Sequence, residues 1–192
     1  MSTPLPILET EHLLLRDISD EDAAEVLALR SNPEVMRFIP RPLLTSLDDA
    51  LKHIRMIRHA AARFEGCNFA VTLKPDNTMI GIVGYYRIQP ENFRSEIGYI
   101  IDPKHHGKGI MRELMPALLH FGFDAFDLHS VEAVIDPGNT ASEKLLQHLN
   151  FAKEAHFKEN ICFEGRFLDS VHYTLFRRDF YKAHPEFTDK NL

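Results

Sequence analysis

The stretch Ile97–Met111, IGYIIDPKHHGKGIM, decides how the rest of the chain is read. It reads as a strand, a Gly-rich turn and the start of a helix. N–H groups in the first turn of a helix have no partner inside the helix. Gly107 and Gly109 permit unusual dihedrals and let a ligand come close to the backbone. Lys104 and Lys108 add positive charge. Together these features make a site for a phosphate or pyrophosphate. Two other phosphate motifs fit less well. A Walker loop, GxxxxGK followed by Ser or Thr, is absent, and Gly107-Lys108-Gly109 lacks the third glycine of a dinucleotide fingerprint.

Outward from this stretch the chain alternates between strand and helix patterns, which points to an α/β or α+β domain around a central sheet. Upstream, Leu8–Ile18 is expected as a first strand. Ser19 stands three residues before Asp22 as a helix-start signal, and Ala23, Ala24, Leu27 and Ala28 form a short helical stripe. A longer helix is expected over Leu47–Phe64. Strands follow at Phe69–Leu73, Met79–Gln89 and Ser95–Ile101, and their short connections favour antiparallel neighbours. Downstream, Gly107–Phe126 has a helical period, with Pro116 and Gly122 inside it, and Pro116 is expected to kink it. Val131–Ile135 should lie parallel to Ser95–Ile101 through a βαβ crossover. A helix at Asn139–Leu149 and strands at Ala152–Cys162 and Phe167–Phe176 close the pattern. Residues 1–178 are expected as one domain and 179–192 as a mostly polar, poorly ordered tail.

Composition limits the function classes. The chain has 192 residues, 44% hydrophobic and 26% charged, and a net charge of -6. The acidic balance, with no basic stripe, argues against a direct nucleic-acid binder. No apolar run approaches the roughly 18 residues that span a bilayer, and the start lacks the pattern of a secretory signal, so a cytoplasmic location is expected. Cys67 and Cys162 are far apart and read as free thiols. The eleven histidines form no ligand-spaced cluster, so no metal is expected.

Lys104-His-His-Gly107-Lys108-Gly109 resembles motif A of the Gcn5-related N-acetyltransferases (GNAT), in which Gln or Arg, two free positions, Gly, one free position and Gly or Ala follow one another. Lys104 departs from the first position, and His105-His106 replace a common aromatic pair. The likeness spans nearly the whole chain. Glu96-Ile-Gly-Tyr99 and Leu128–Ala133 are similar to the strands flanking the motif, and Asp136–Ser142 with Leu145, Leu146, Asn150 and Phe151 to the helix of motif B. The chain looks most like the RimJ/RimL branch of ribosomal-protein N-terminal acetyltransferases.

That resemblance implies a mixed, mostly antiparallel, twisted sheet of about seven strands with helices on both faces, and acetyl-CoA as cosubstrate. It implies that Tyr99, Ile100 and Ile101 offer backbone groups to the pantetheine arm, one N–H among them holding the oxyanion of the tetrahedral intermediate. Lys104, His105, His106, Gly107, Lys108, Gly109, Ile110 and Met111 would meet the pyrophosphate, and Asn139 and Ser142 the cofactor arm. Asn139 is also a good helix cap by type. Ser142 is the candidate general acid for the departing thiolate. The base, which must take a proton from an amine protonated at neutral pH, is Glu96 or Glu159. Arg37 and Phe38 are candidates for the acceptor wall. Direct attack in a ternary complex is favoured over a cysteine-linked intermediate. The implied acceptor is a primary amine, first of all a protein N-terminus, with a small amine, polyamine or aminoglycoside as the nearest rival. A non-catalytic acyl-CoA-binding module belongs to a different class. The chain is expected to be a monomer or homodimer.

Overall fold

The computed structural model describes residues 5–189. In chain order its elements are β1 (Leu8–Glu9), β2 (Leu13–Asp17), α1 (Ala23–Arg30), α2 (Pro33–Met36), α3 (Leu47–Ala62), β3 (Gly66–Leu73), β4 (Met79–Gln89), β5 (Arg94–Ile101), α4 (Ile110–Ala125), β6 (Ser130–Ile135), α5 (Thr140–His148), β7 (Ala152–Phe163), β8 (Arg166–Phe176) and α6 (Arg177–Ala183). They build an eight-stranded sheet in the order β1-β2-β3-β4-β5-β6-β8-β7. Every neighbouring pair is antiparallel except β5–β6, which the α4 crossover makes parallel.

The count is eight because Leu8–Ile18 is not one strand. Leu8 lies opposite Leu15, and Thr10 N donates to Leu13 O at 3.1 Å, so polar Thr10, Glu11 and His12 turn the chain into a hairpin. At the next helix start, Asp22 accepts from Ser19 N at 2.8 Å and is clamped by both terminal nitrogens of Arg16 at 2.7 and 2.9 Å.

Strand alternation sends side chains to two separate cores. On one face Phe69, Val83, Tyr85, Ile97, Ile101, Val131 and Tyr173 pack with Leu114, Leu118 and Phe123 of α4 and with Leu145 and Leu146 of α5. On the other, Ala70, Ile82 and Ile100 meet Val26 and Leu29 of α1 and Ala50, Ile54 and Ile57 of α3. Ser46 caps α3 by accepting from Asp49 N at 3.2 Å. The helix stops at Ala62, two residues before the expected Phe64, where the backbone turns left-handed at φ +58°.

Helix α4 carries Pro116 in its interior, with the ring half-buried. Gly122 is there for space. A Cβ on it would lie 2.2 Å from Tyr85 Oη, whose hydroxyl donates to Leu118 O at 2.8 Å.

The segment read as a poorly ordered tail belongs to the body as far as Asp189. Phe180 and Tyr181 of α6 are buried, and the Phe180 ring lies 5.2 Å from that of Phe123. Arg177 donates to Asp189 and to Phe123 O at 3.0 Å. The polar residues of 179–189 hid three aromatics, Phe180, Tyr181 and Phe187, that meet α4. Residues 190–192 of that segment lie outside the described ones.

Candidate active site

The parallel pair β5–β6 holds together over three residues only: Arg94 opposite Ser130, Ser95 opposite Val131, and Glu96 opposite Glu132. Beyond Glu96 both strands continue, β5 against β4 and β6 against β8, without pairing to each other. The sheet therefore splits into a V whose vertex is the pair Glu96–Glu132. Asp102 N donates to Ile80 O at 2.9 Å, which sets the alternation along β5. Glu96, Gly98 and Ile100 give their backbone groups to the β4 ladder, and those of Ile97, Tyr99 and Ile101 point into the gap. Ile100, expected to offer its backbone to a ligand arm, instead spends it on Ile82, its partner in β4. The backbone groups of Tyr99 and Ile101 face the gap instead.

At the open end of the V lies the Gly-rich turn. Asp102 Oδ1 accepts from Lys104 N at 2.9 Å, and His106 Nε2 lies 3.0 Å from Ile101 O, which folds the turn back over the strand end. Gly107 and Gly109 have φ of +72° and +79°, and a Cβ on either would meet nothing within 4 Å. These are left-handed positions facing open space, so their glycines serve backbone geometry and access. Gly109 starts α4 without a side-chain cap, leaving the first-turn N–H groups of Ile110, Met111 and Arg112 open to an anion. Glu113, the acid of that first turn, accepts from Thr10 Oγ1 and His12 N of the β1–β2 hairpin. Its charge is thereby held by another partner, while exposed Lys104, Lys108 and Arg112 leave the turn cationic. Ile110 and Met111 point their side chains at the core, so only their backbone is available.

Opposite β5, α5 starts at the far wall of the gap. Asn139 caps it, with Oδ1 accepting from Ser142 N at 3.1 Å. Ser142 is buried. Tyr99 Oη is buried without a hydrogen-bond partner. Burial pushes that phenol up to about 12, and the nearby Ser142 hydroxyl eases the shift without bonding in good geometry. Two hydroxyls thus stand close together beside the gap on its α4/α5 side.

The α1/α3 side carries the carboxylates. Glu96 sits there with Arg87 Nη1 2.6 Å away. Burial raises its carboxyl above the ordinary value; Arg87 opposes the shift and Glu132 adds to it. Glu132 is held by His172 Nδ1 at 2.6 Å and Arg94 at 3.3 Å, and His172 Nε2 lies 3.1 Å from Ser170 Oγ. This relay escaped the sequence reading because Glu132 and His172 are forty residues apart; only the alternation of β6 and β8 signals that they share a face. Tyr86 lies over the strand here, its Cε2 2.8 Å from where a Cβ on Gly98 would be. Phe38 stands 3.4 Å from the Cβ position of Gly138, so the α2–α3 loop reaches the turn that leads into α5. Arg37 stacks on that ring at 5.0 Å.

Glu159 is elsewhere. It occupies the irregular part of β7, at φ +52°, exposed, with its N–H donated to Asp169 Oδ1 at 2.9 Å. Three strand steps separate β7 from β5, about 14 Å at the usual spacing. Cys67 is buried in β3 with its thiol pushed up to about 12, and exposed Cys162 pairs with Phe167 near the β7–β8 turn. Neither lies on the gap.

Residues 12–152 match the family model described as an acetyltransferase (GNAT) domain. An uncharacterized N-acetyltransferase, p20 of Bacillus licheniformis, is 34% identical over 173 residues, 90% of this chain and 97% of that protein. The spermidine N(1)-acetyltransferase of Vibrio cholerae is 27% identical over 161 residues, 82% of this chain and 88% of that one. The crystal structure of ribosomal-protein-S5-alanine acetyltransferase from Vibrio fischeri has the same fold, with a TM-score of 0.80 at 24% identity over 92% of this chain and 99% of that chain. The chain belongs to the GNAT acetyltransferases. It is an N-acetyltransferase, and acetyl-CoA is its cosubstrate. No helix among the described residues is long and apolar enough to cross a membrane.

Proposed function

We propose that this enzyme acetylates a polypeptide N-terminal amine that enters from the α1/α3 face and attacks directly at the β5–β6 gap. The observation that carries this reading is the V itself: an unpaired backbone edge between a cationic helix start and a half-buried carboxylate. Acetyl-CoA supplies the acetyl thioester. The open N–H groups at Ile110–Arg112, with Gly107, Gly109, Lys104 and Lys108, hold its pyrophosphate. The backbone of Tyr99 and Ile101 and the Asn139 side chain line the arm. A gap-facing N–H of β5 holds the thioester oxygen as negative charge builds on it. Glu96 takes the proton from the entering ammonium; its raised pKa suits a base working near neutrality. Ser142 gives its proton to the departing sulfur and regains one from the attacking nitrogen as the intermediate collapses to the amide. His105 and His106 shape the turn and take no part in proton transfer.

An N-terminal amine fits better than a polyamine because Arg30, Arg37 and Arg41 add positive charge on the α1–α3 side without an ion pair among the described residues, while Arg87 and Arg94 are already paired with Glu96 and Glu132. The test is release of free CoA thiol from acetyl-CoA with peptides of varied first residue, set against spermidine and an aminoglycoside. Higher kcat/KM for peptides supports the reading. Turnover of spermidine alone would assign the enzyme to small amines.

A further inference from the structure

Arg30, the last residue of α1, is a half-buried cation that no carboxylate among the described residues answers. Its Nε is buried without a hydrogen-bond partner. Burial weakens its charged form, and the groups that bear on it are Tyr86 and another cation, Arg41. His53 of α3, also close by, is pushed down to about 4 by burial and by Arg30 itself, so it is neutral at pH 7 and offers no compensation. The carbonyl end of α1 offsets part of the cost, but it leaves the Nε–H unsatisfied. A half-buried guanidinium beside a second arginine and a neutral imidazole is suited to binding an anion, above all a carboxylate it can grip with paired hydrogen bonds.

Its position gives that anion a role. Tyr86 is the register partner of Glu96 and rests on Gly98, at the vertex of the gap. Arg30 ends α1, which packs against β4 on the same face of the sheet as Tyr86 and Glu96, and its carbonyl accepts from Leu44 N of the Arg41–Leu44 loop at 3.1 Å. The cation therefore stands on the face of the sheet from which Glu96 receives the amine. We propose that Arg30, with Arg41, forms an anion subsite for the acceptor, and that the acceptor is an amine carrying a carboxylate a few bonds away. This rests on the amine site at Glu96. The carboxylate has two possible sources, an acidic side chain near a peptide N-terminus or a free amino dicarboxylic acid.

Steady-state acetylation of N-terminal Ala-Glu, Ala-Gln and Ala-Lys peptides, and of free glutamate and glutamine, separates these sources. In at least one pair the acidic acceptor should exceed its amide by about 10-fold in kcat/KM, as expected for a charge-assisted contact. Arg30→Gln should abolish that preference through KM, with kcat retained. Glutarate should raise the melting temperature of the wild type and leave that of Arg30→Gln unchanged. Equal rates for acid and amide, or a preference that survives Arg30→Gln, overturns the subsite. If the wild type acetylates none of these amines, the N-terminal reading fails, and the glutarate shift still decides the subsite.

Discussion

Glu96 and Ser142 reach the β5–β6 gap from opposite faces of the sheet: Glu96 from the side packed by α1 and α3, Ser142 from the side packed by α4 and α5. The two proposed proton-transfer groups are therefore separated by the sheet itself, and only the gap joins them. Amine and cosubstrate can occupy opposite faces and meet at a single opening.

Glu96→Gln keeps the shape and removes the base. Because burial raises the Glu96 carboxyl, the wild-type rate should rise with pH through an ionisation above the ordinary glutamate range. The variant should lose about 10²-fold or more in kcat, and its profile should lose that acidic limb. Glu159→Gln, on exposed β7, should stay close to wild type; a larger loss there than at Glu96 would transfer the role of base.

Ser142→Ala removes the proton donor and leaves the Asn139 cap, which uses the backbone of residue 142. A drop of about 10²-fold in kcat with nearly unchanged acetyl-CoA affinity is expected. A better leaving thiol in the cosubstrate should restore part of the rate.

Gly109→Val places a branched side chain at φ +79° in the phosphate turn. The strain costs about 1–3 kcal/mol and reshapes the first-turn N–H groups. Calorimetric titration should show acetyl-CoA affinity falling by more than 10-fold, roughly the equivalent of that strain. Unchanged affinity would remove the pyrophosphate from this turn.

Gly122→Ala drives a methyl into Tyr85 Oη and should cost about 1–3 kcal/mol in urea unfolding. Tyr85→Phe in the same chain should recover part of it by removing the hydroxyl, at the expense of its bond to Leu118 O.

His53 makes the fold acid-sensitive. Its ordinary value of 6.5 falls to about 4 in the folded chain. Between these values the unfolded chain binds the proton and the folded chain does not, so stability drops as pH falls through that window and levels off below it. His53→Gln should flatten the drop in melting temperature over the same range.

The sequence alone determined the elements whose chemistry is local. The Ile97–Met111 strand, turn and helix start, the parallel crossover, the Asn139 cap and the glycines of the phosphate turn all depend on neighbours a few residues away, so residue type and spacing carry them. Tertiary structure decided the rest, because it depends on strand register and on which face a side chain takes. Register stops the β5–β6 pairing at Glu96, opens the V, and gives the backbone of Ile100 to β4 while leaving that of Tyr99 free. Register also sets Glu132 beside Glu96 and His172 beside Glu132, and keeps Glu159 on a distant edge. The partial burial of Arg30 at the end of α1 and the packing of Phe180 against Phe123 follow from helix packing on the sheet, and no local pattern encodes them.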